Sequence, residues 1–84
     1  MNDWNEFKIV LAVARAGSLA GAAKDLGHDH STIFRWLNAL EKRKAVQLFD
    51  RSSGQYVPTE AGAQMVLAAE RMEAEALALD RSIT

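Results

Sequence analysis

The sequence predicts a mainly helical fold: a winged helix-turn-helix of three helices and a two-stranded β-hairpin wing, followed by one long helix. Three observations support it. Apolar residues recur at steps of three and four in several segments, two such segments flank a glycine-containing turn, and apolar residues flank a polar turn further along. With 84 residues, the chain has room for a single core. We place the winged domain in residues 1–58 and the long helix in residues 59–84.

The composition is that of an ordinary globular domain. Apolar residues make up 49% of the chain and charged residues 25%, a balance that argues against disorder. The absence of cysteine excludes disulfides and thiolate metal sites. No apolar run approaches the roughly 18 residues of a membrane span, and the acidic N-terminus does not have the pattern of a signal peptide. We therefore expect a cytoplasmic protein without membrane contact.

The first helix is predicted from Asp3 to Ala16. Asp3 is its expected N-cap, because a carboxylate accepts hydrogen bonds from backbone N–H groups that are otherwise unpaired. Gly17 ends the helix. The apolar face consists of Trp4, Phe7, Val10, Leu11 and Ala14.

Two further helices form the predicted helix-turn-helix. Ser18 is expected to cap a short helix from Leu19 to Leu26, which ends at Gly27. The third helix runs from about His30 to Lys44, with the preceding aspartate as its expected cap. Ile33, Leu37 and Leu40 mark its buried side.

A β-hairpin is predicted directly after the third helix. Val46 and Leu48 precede the polar turn 50–55, and Tyr56 and Val57 follow it. Apolar residues on both sides of a polar turn that contains glycine are typical of a hairpin. A hairpin in this position is the wing of a winged helix.

The last helix is predicted from Glu60 to about Arg81, with Thr59 as its cap after Pro58. At 1.5 Å per residue it is roughly 30 Å long, more than a core of this size covers. A seam of heptad type therefore predicts dimerisation with a second copy. The seam residues are Met65, Ala69, Met72, Ala76, Leu79 and Ile83.

Charge is unevenly distributed along the chain. The whole chain has a net charge of −1, but residues 35–51 hold five basic side chains against two acidic ones. A positive middle segment between acidic flanks attracts a polyanion locally. The alternative is that these basic residues form a solvated helix end, where the negative end of the helix dipole also favours cations.

These segments together resemble the N-terminal DNA-binding domain and linker helix of a LysR-type bacterial transcriptional regulator. The order and spacing of the motifs are more specific than any one of them. The matching motifs are Phe7 and Val10; Gly17-Ser18-Leu19; Ala22-Ala23; Leu26; Asp29 to Arg35; Ala39-Leu40-Glu41; Val46 to Arg51; and Pro58 to Gly62.

The resemblance implies a homodimer that binds an interrupted palindrome in promoter DNA, under control of a small-molecule effector. In that family the effector is sensed by a C-terminal domain of roughly 200 residues, and this chain has no such domain. We expect either a truncated regulator or a short relative, and the seam that reaches Ile83 favours truncation.

The sequence departs from the family pattern at several positions. Phe34 stands where a small polar residue is usual, and Trp36 replaces a polar or basic one. Lys44-Ala45 replaces a usual Leu-Gly, and alanine in a left-handed C-cap is strained. The wing tip 52–55 has no basic residue.

The start of the third helix supplies most candidate DNA contacts, because this part of a helix-turn-helix enters the major groove. Arg35 is the leading candidate for a bidentate bond to guanine. Phe34 either packs on thymine methyl groups or is a partly buried core aromatic. Phosphate contacts are expected from Ser18 and from Arg51 at the wing root. The full set is Ser18, His30, Ser31, Thr32, Phe34, Arg35, Asn38, Arg51 and Ser53.

Other function classes are disfavoured. The cluster 28–30 holds two histidines and an aspartate, but neighbours on one turn do not converge on a metal or form a catalytic triad. We expect no enzyme activity, no metal and no cofactor. Two alternatives stay open: a winged helix that binds protein instead of DNA, and a DNA-binding protein of another winged-helix family, such as a molybdate-responsive regulator. Steep salt dependence of duplex binding would separate DNA binding from protein binding.

Overall fold

The computed structural model describes residues 3–83 and has the predicted architecture: three helices, a two-stranded antiparallel hairpin and a long C-terminal helix. In the hairpin, Phe49 pairs with Pro58 and Asp50 with Val57. No helix in this part of the chain is both long and apolar enough to cross a membrane. In chain order the elements are α1 (Trp4–Ala16), α2 (Leu19–Leu26), α3 (His30–Lys44), β1 (Phe49–Asp50), β2 (Val57–Pro58) and α4 (Glu60–Ile83).

The core forms around α1, which packs against α2, α3 and α4. Its buried run extends from Ile9 to Val13, so this helix has more than one apolar face covered. Small residues of α2 allow a close approach between helices. Phe49 brings the start of the wing into the same cluster. The largest fully buried side chains are Phe49, Ile33, Leu37, Leu48, Val10 and Val13.

Two of the three predicted caps on the first three helices form as expected. The carboxylate of Asp3 accepts from the backbone N–H of Glu6 at 3.1 Å, and the Glu6 carboxylate accepts from the N–H of Asp3 at 3.2 Å. The hydroxyl of Ser18 accepts from the N–H of Gly21 at 3.0 Å. Asp29 occupies the N-cap position of α3, but its side chain makes no capping hydrogen bond. The expectation of a carboxylate cap there is wrong.

The C-terminal end of α3 has the strained geometry that the sequence predicts. Ala45 lies in the left-handed region, with φ of 55° and ψ of 38°. In residues 3–83 it is the only residue other than glycine with positive φ. Its N–H donates to the carbonyl oxygen of Lys42 at 3.2 Å, so the helix end is closed although the conformation is unfavourable for alanine.

The wing strands are shorter than predicted and begin later. Val46 and Leu48 lie before β1, so the expectation that they form a strand is wrong. The backbone of Leu48 bonds elsewhere: its N–H donates to the carboxylate of Glu41 at 2.7 Å, and its carbonyl oxygen accepts from the N–H of Thr59 at 3.0 Å. These bonds replace the ladder that a longer hairpin would need.

Thr59 caps α4 as predicted, and the following turn comes close to the wing. The hydroxyl of Thr59 accepts from the N–H of Gly62 at 3.1 Å. A Cβ atom at Gly62 would overlap the carbonyl group of Leu48. Glycine is therefore required for close approach at this crossing.

One apolar stripe runs along α4 and meets two environments. In the inner half of α4, residues 60–70, Met65 is 7% exposed and Ala69 is fully buried in the chain's own core. The prediction that these two residues contact a second copy is therefore wrong. In the outer half of α4, residues 71–83, Leu79 is 59% and Ile83 is 71% exposed. The seam residues of the outer half are Met72, Ala76, Leu79 and Ile83.

A charged fork joins α1 to α4 where the two halves meet. Arg15 donates from Nη1 and Nη2 to the two carboxylate oxygens of Glu73, at 3.0 and 2.7 Å. These hydrogen bonds hold the pKa of Glu73 below its ordinary value and raise the pKa of Arg15. The fork thus adds a contact between α1 and the outer half of α4.

Candidate nucleic-acid interface

α3 turns one face to the core and the opposite face to solvent. Ile33, Leu37 and Leu40 are buried against α1 and α2. At 3.6 residues per turn, the positions farthest from this buried side form a stripe along the outer face. The exposed members of that stripe are Ser31, Arg35 and Lys42.

Arg35 lies on the second turn of α3 with its side chain in solvent. Within residues 3–83 it makes no salt bridge. Its five guanidinium donors are therefore available to a ligand, and they form a planar fork that fits two acceptors at once. Ser31, one turn before it, is also exposed, and Thr32 is half-buried.

Two aromatic side chains lie on either side of this stripe. Phe34 is 44% exposed and lies outside the core cluster and the side chains packed against it, which speaks against a partly buried core aromatic. Trp36 is 40% exposed, and its ring meets that of His28 edge-on, with 4.8 Å between centroids. His30 is exposed at the first position of α3. The N-terminal half of α3 thus presents apolar surface on both sides of a polar stripe.

The N-terminus of α2 lies at the turn to which the wing is attached. Ser18 is half-buried, and its oxygen caps the helix while its hydroxyl proton stays available to an acceptor. The carbonyl oxygen of Gly17 accepts from the N–H of Tyr56 at 3.0 Å. This bond connects the second side of the wing to the turn before α2.

The wing tip is exposed and uncharged. Asp50 begins the turn, and its carboxylate accepts from the N–H of Ser52 at 2.8 Å. Hydrogen bonds from the Ser52 side chain and backbone lower the pKa of Asp50. Gly54 takes the left-handed conformation, with φ of 86°, that closes the turn. Ser53 lies at the exposed tip, where sequence reasoning places a DNA contact.

Arg51 and Asn38, both predicted DNA contacts, are bonded to each other. Arg51 donates from Nη2 to the side-chain oxygen of Asn38 at 3.2 Å and to Oε1 of Glu41 at 2.9 Å. Its guanidinium also lies over the ring of Tyr56, 4.8 Å from the centroid. Both predicted contacts are therefore engaged within the protein.

Glu41 is the residue of this site that sequence reasoning missed. Its side chain is 12% exposed. Besides Arg51, its carboxylate accepts the N–H groups of Leu48 at 2.7 Å and Phe49 at 3.3 Å. No local signal identifies such a bond, because its partners follow seven to ten residues later, beyond the end of the helix.

Two of the five basic side chains in the positive segment form salt bridges within the protein. Arg43 forms a salt bridge with Glu6 of α1, and Arg51 forms one with Glu41. We therefore expect only the cations on the outer face of α3, and not the whole of residues 35–51, to attract a polyanion. Those on the outer stripe of α3 are Arg35 and Lys42.

Comparisons with known proteins agree with this geometry. The family described as bacterial regulatory helix-turn-helix protein, lysR family, matches residues 4–63. The transcriptional regulator CbbR of Xanthobacter flavus is 32% identical over 78 residues, which are 93% of this chain and 23% of that protein. The chain therefore spans about a quarter of the length of this curated relative.

Solved structures show the same fold. Full-length LysG of Corynebacterium glutamicum, with bound effector, superposes with a TM-score of 0.88 at 25% identity, over 98% of this chain and 28% of LysG. The CbnR DNA-binding domain in its DNA complex gives a TM-score of 0.79 at 35% identity, over 96% of this chain and 94% of that one. The chain thus belongs to the LysR family of bacterial regulatory helix-turn-helix proteins, in which it corresponds to the DNA-binding domain.

Proposed function

We propose that this chain binds promoter DNA sequence-specifically as a homodimer, with α3 in the major groove and the wing near the minor groove. The observation that carries the proposal is the outer face of α3, on which Arg35 is exposed and makes no salt bridge within residues 3–83. The 35% identity to the CbnR domain that was solved on DNA supports it.

The contacts are divided between base reading and phosphate binding. Arg35 reads a guanine through O6 and N7. Phe34 packs on a thymine methyl group beside it, while the hydroxyl groups of α3 bond base edges or phosphate. Ser18 and the free N–H groups at the start of α2 bind phosphate. The remaining contacts of the proposal are His30, Ser31 and Thr32 on α3 and Ser53 on the wing.

Homodimerisation is proposed through the outer half of α4. Its exposed seam side chains continue the stripe that covers the core, so a second copy would bury them as the core buries Met65. Two copies then place their α3 helices in successive major grooves, about 34 Å apart or more.

Arg35→Ala tests the base contact, and Lys42→Ala is its matched control on the same face of α3. We expect Arg35→Ala to cost about 1–3 kcal/mol and to relax base preference at one position per half-site. Lys42→Ala, at a position to which no DNA contact is assigned, should leave the base preferences unchanged, and any loss through its charge should be the same for all sequences. Binding of a randomised duplex library, sequenced after selection, measures both.

Two outcomes would contradict the proposal. If Arg35→Ala weakened all sequences equally, Arg35 would be a phosphate contact and the assignment of base reading would be wrong. Absence of salt-dependent duplex binding by the parent chain would favour a winged helix that binds protein.

A further inference from the structure

The carboxylate of Glu41 connects the recognition helix to the wing. It lies near the C-terminal end of α3 and accepts three donors: the N–H groups of Leu48 and Phe49 and Nη2 of Arg51. Its side chain is only 12% exposed. A carboxylate shielded from water with this many donors is held in one place, because each charged hydrogen bond is stronger than a neutral one.

Arg51 extends this connection to the outer face of the domain. Its Nη2 also donates to Asn38, one turn before Glu41 on α3. Its guanidinium carbon lies over the ring of Tyr56, on the other side of the hairpin, 4.8 Å from the ring centroid. The first residue after β1 is therefore bonded to α3 and lies against the ring of the residue before β2. We call Glu41, Asn38 and Arg51 the wing clamp.

The opposite side of the hairpin is attached to a different element. Tyr56 donates its N–H to the carbonyl oxygen of Gly17, in the turn between α1 and α2. The wing is thus fixed to α3 by the clamp and to the N-terminus of α2 by a backbone bond. With strands of two residues each, the hairpin has little pairing of its own to orient it.

We infer that Glu41 and Arg51 are positioning residues that set the angle of the wing to α3 for DNA binding, and that Arg51 acts through Glu41 and Asn38 instead of contacting phosphate. The inference rests on the proposed function for its effect on DNA. The clamp itself is a property of the free protein. It also explains how a wing tip without basic residues reaches DNA: it is held in place instead of being drawn there by charge.

The two roles of Arg51 predict opposite results for Arg51→Lys. Both clamp bonds of Arg51 come from Nη2. A lysine keeps the positive charge for phosphate, but its side chain is one bond shorter, so we expect its nitrogen not to reach the position from which Nη2 bonds both Asn38 and Glu41. The clamp predicts that Arg51→Lys loses about tenfold in affinity, as Glu41→Gln does, with an unchanged salt slope. A phosphate contact predicts that Arg51→Lys keeps its affinity, and that Arg51→Met lowers the slope by about one.

The experiment measures duplex affinity at several salt concentrations for the parent, Glu41→Gln, Arg51→Lys, Arg51→Met and the double variant Glu41→Gln with Arg51→Lys. Lys42→Met is the control that removes a charge outside the clamp. Hydroxyl-radical footprints on the same duplex report where the wing lies. We expect the double variant to lose no more affinity than either single one, because both substitutions break the same unit. Protection at the flank covered by the wing should be lost while the base preferences set by Arg35 are kept.

Amide hydrogen exchange tests the clamp without DNA. The amides of Leu48 and Phe49 should exchange faster in Glu41→Gln than in the parent, while core amides of α1 keep their protection. If the parent did not bind DNA but these amides responded, the proposed function would fail and the clamp would stand. Unchanged exchange, or additive losses with an intact footprint, would overturn the inference. If Glu41→Gln caused a general loss of folding, the amides of α1 would also exchange faster. The affinity of Arg51→Lys, which alters only the outer part of the clamp, would then distinguish the positioning role of Arg51 from a phosphate contact.

Discussion

The two halves of α4 have the same apolar stripe but lie in different surroundings. In the inner half, Met65 and Ala69 are packed on the chain's own core. In the outer half, Leu79 and Ile83 lie in solvent. The comparison teaches that periodicity identifies an apolar face but not what covers it. The inner half is therefore expected to control folding of the monomer, and the outer half assembly of two copies.

The largest effect is expected at the first turn of the inner half. Gly62→Ala places a methyl group against the carbonyl of Leu48, so the backbone of the wing or of α4 must move. We expect a loss on the order of 4 kcal/mol in unfolding free energy. Urea denaturation measures it. The exposed position Ala63 provides the control, since Ala63→Gly should cost only about 1 kcal/mol through helix propensity.

Truncating the stripe compares the two halves directly. Met65→Ala should lower the unfolding free energy by about 2–5 kcal/mol at any protein concentration, because it leaves a cavity in the core. Leu79→Ala should change it by less than about 0.5 kcal/mol under dilute conditions, because the side chain is already solvated. Thermal unfolding at several concentrations provides both values. Equal losses would mean that the halves do not differ as the structure indicates.

A charge in the outer half tests assembly. Leu79→Glu should raise the dimer dissociation constant by about tenfold or more, since a carboxylate would be buried without a partner. Ala78→Glu, at the adjacent exposed position off the seam, is the matched control and should keep the dimer. Sedimentation measures the monomer fraction, and a dimer unaffected by Leu79→Glu would refute pairing through this seam.

The smallest effect concerns the Arg15–Glu73 fork between the halves. The pKa of Glu73 lies below its ordinary value because Arg15 donates to its carboxylate. The fork therefore stabilises the folded state fully when the pH is above the pKa that Glu73 has in the unfolded chain. This stabilisation is lost as the pH falls through the lower pKa that Glu73 has in the folded chain. Glu73→Gln should be slightly less stable than the parent at pH 7 but nearly equal to it once the pH is below that range. Glu75→Gln is the control, and urea midpoints across pH show the difference.

Local sequence signals predicted most of the backbone. The helix bounds follow from caps and glycines, and the left-handed Ala45 follows from the helix ending without glycine. The missing capping bond of Asp29 could not be predicted, because residue type indicates a cap position but not the side-chain torsion. For Phe34, helical spacing left core and surface open, and the structure places it outside.

The part of the site that sequence reasoning did not predict depends on contacts across elements. Arg51 has an exposed, basic position next to a turn, which is typical of a phosphate contact. Its actual partners, Asn38 and Glu41, come together only after the chain reverses between α3 and β1. A pairing of this kind has no fixed spacing, unlike the i, i+4 pairs of a helix.

The central claim is that the chain reads DNA as a dimer and that the two halves of α4 have separate roles. Its most direct test is selection from fragmented genomic duplexes by the parent chain and by Leu79→Glu, each at two salt concentrations. The account predicts that the parent enriches a pseudo-palindrome, sharply weakened at higher salt, and that Leu79→Glu retains only single half-sites. Enrichment of no sequence by the parent, or of the same full palindrome by the variant, would contradict it.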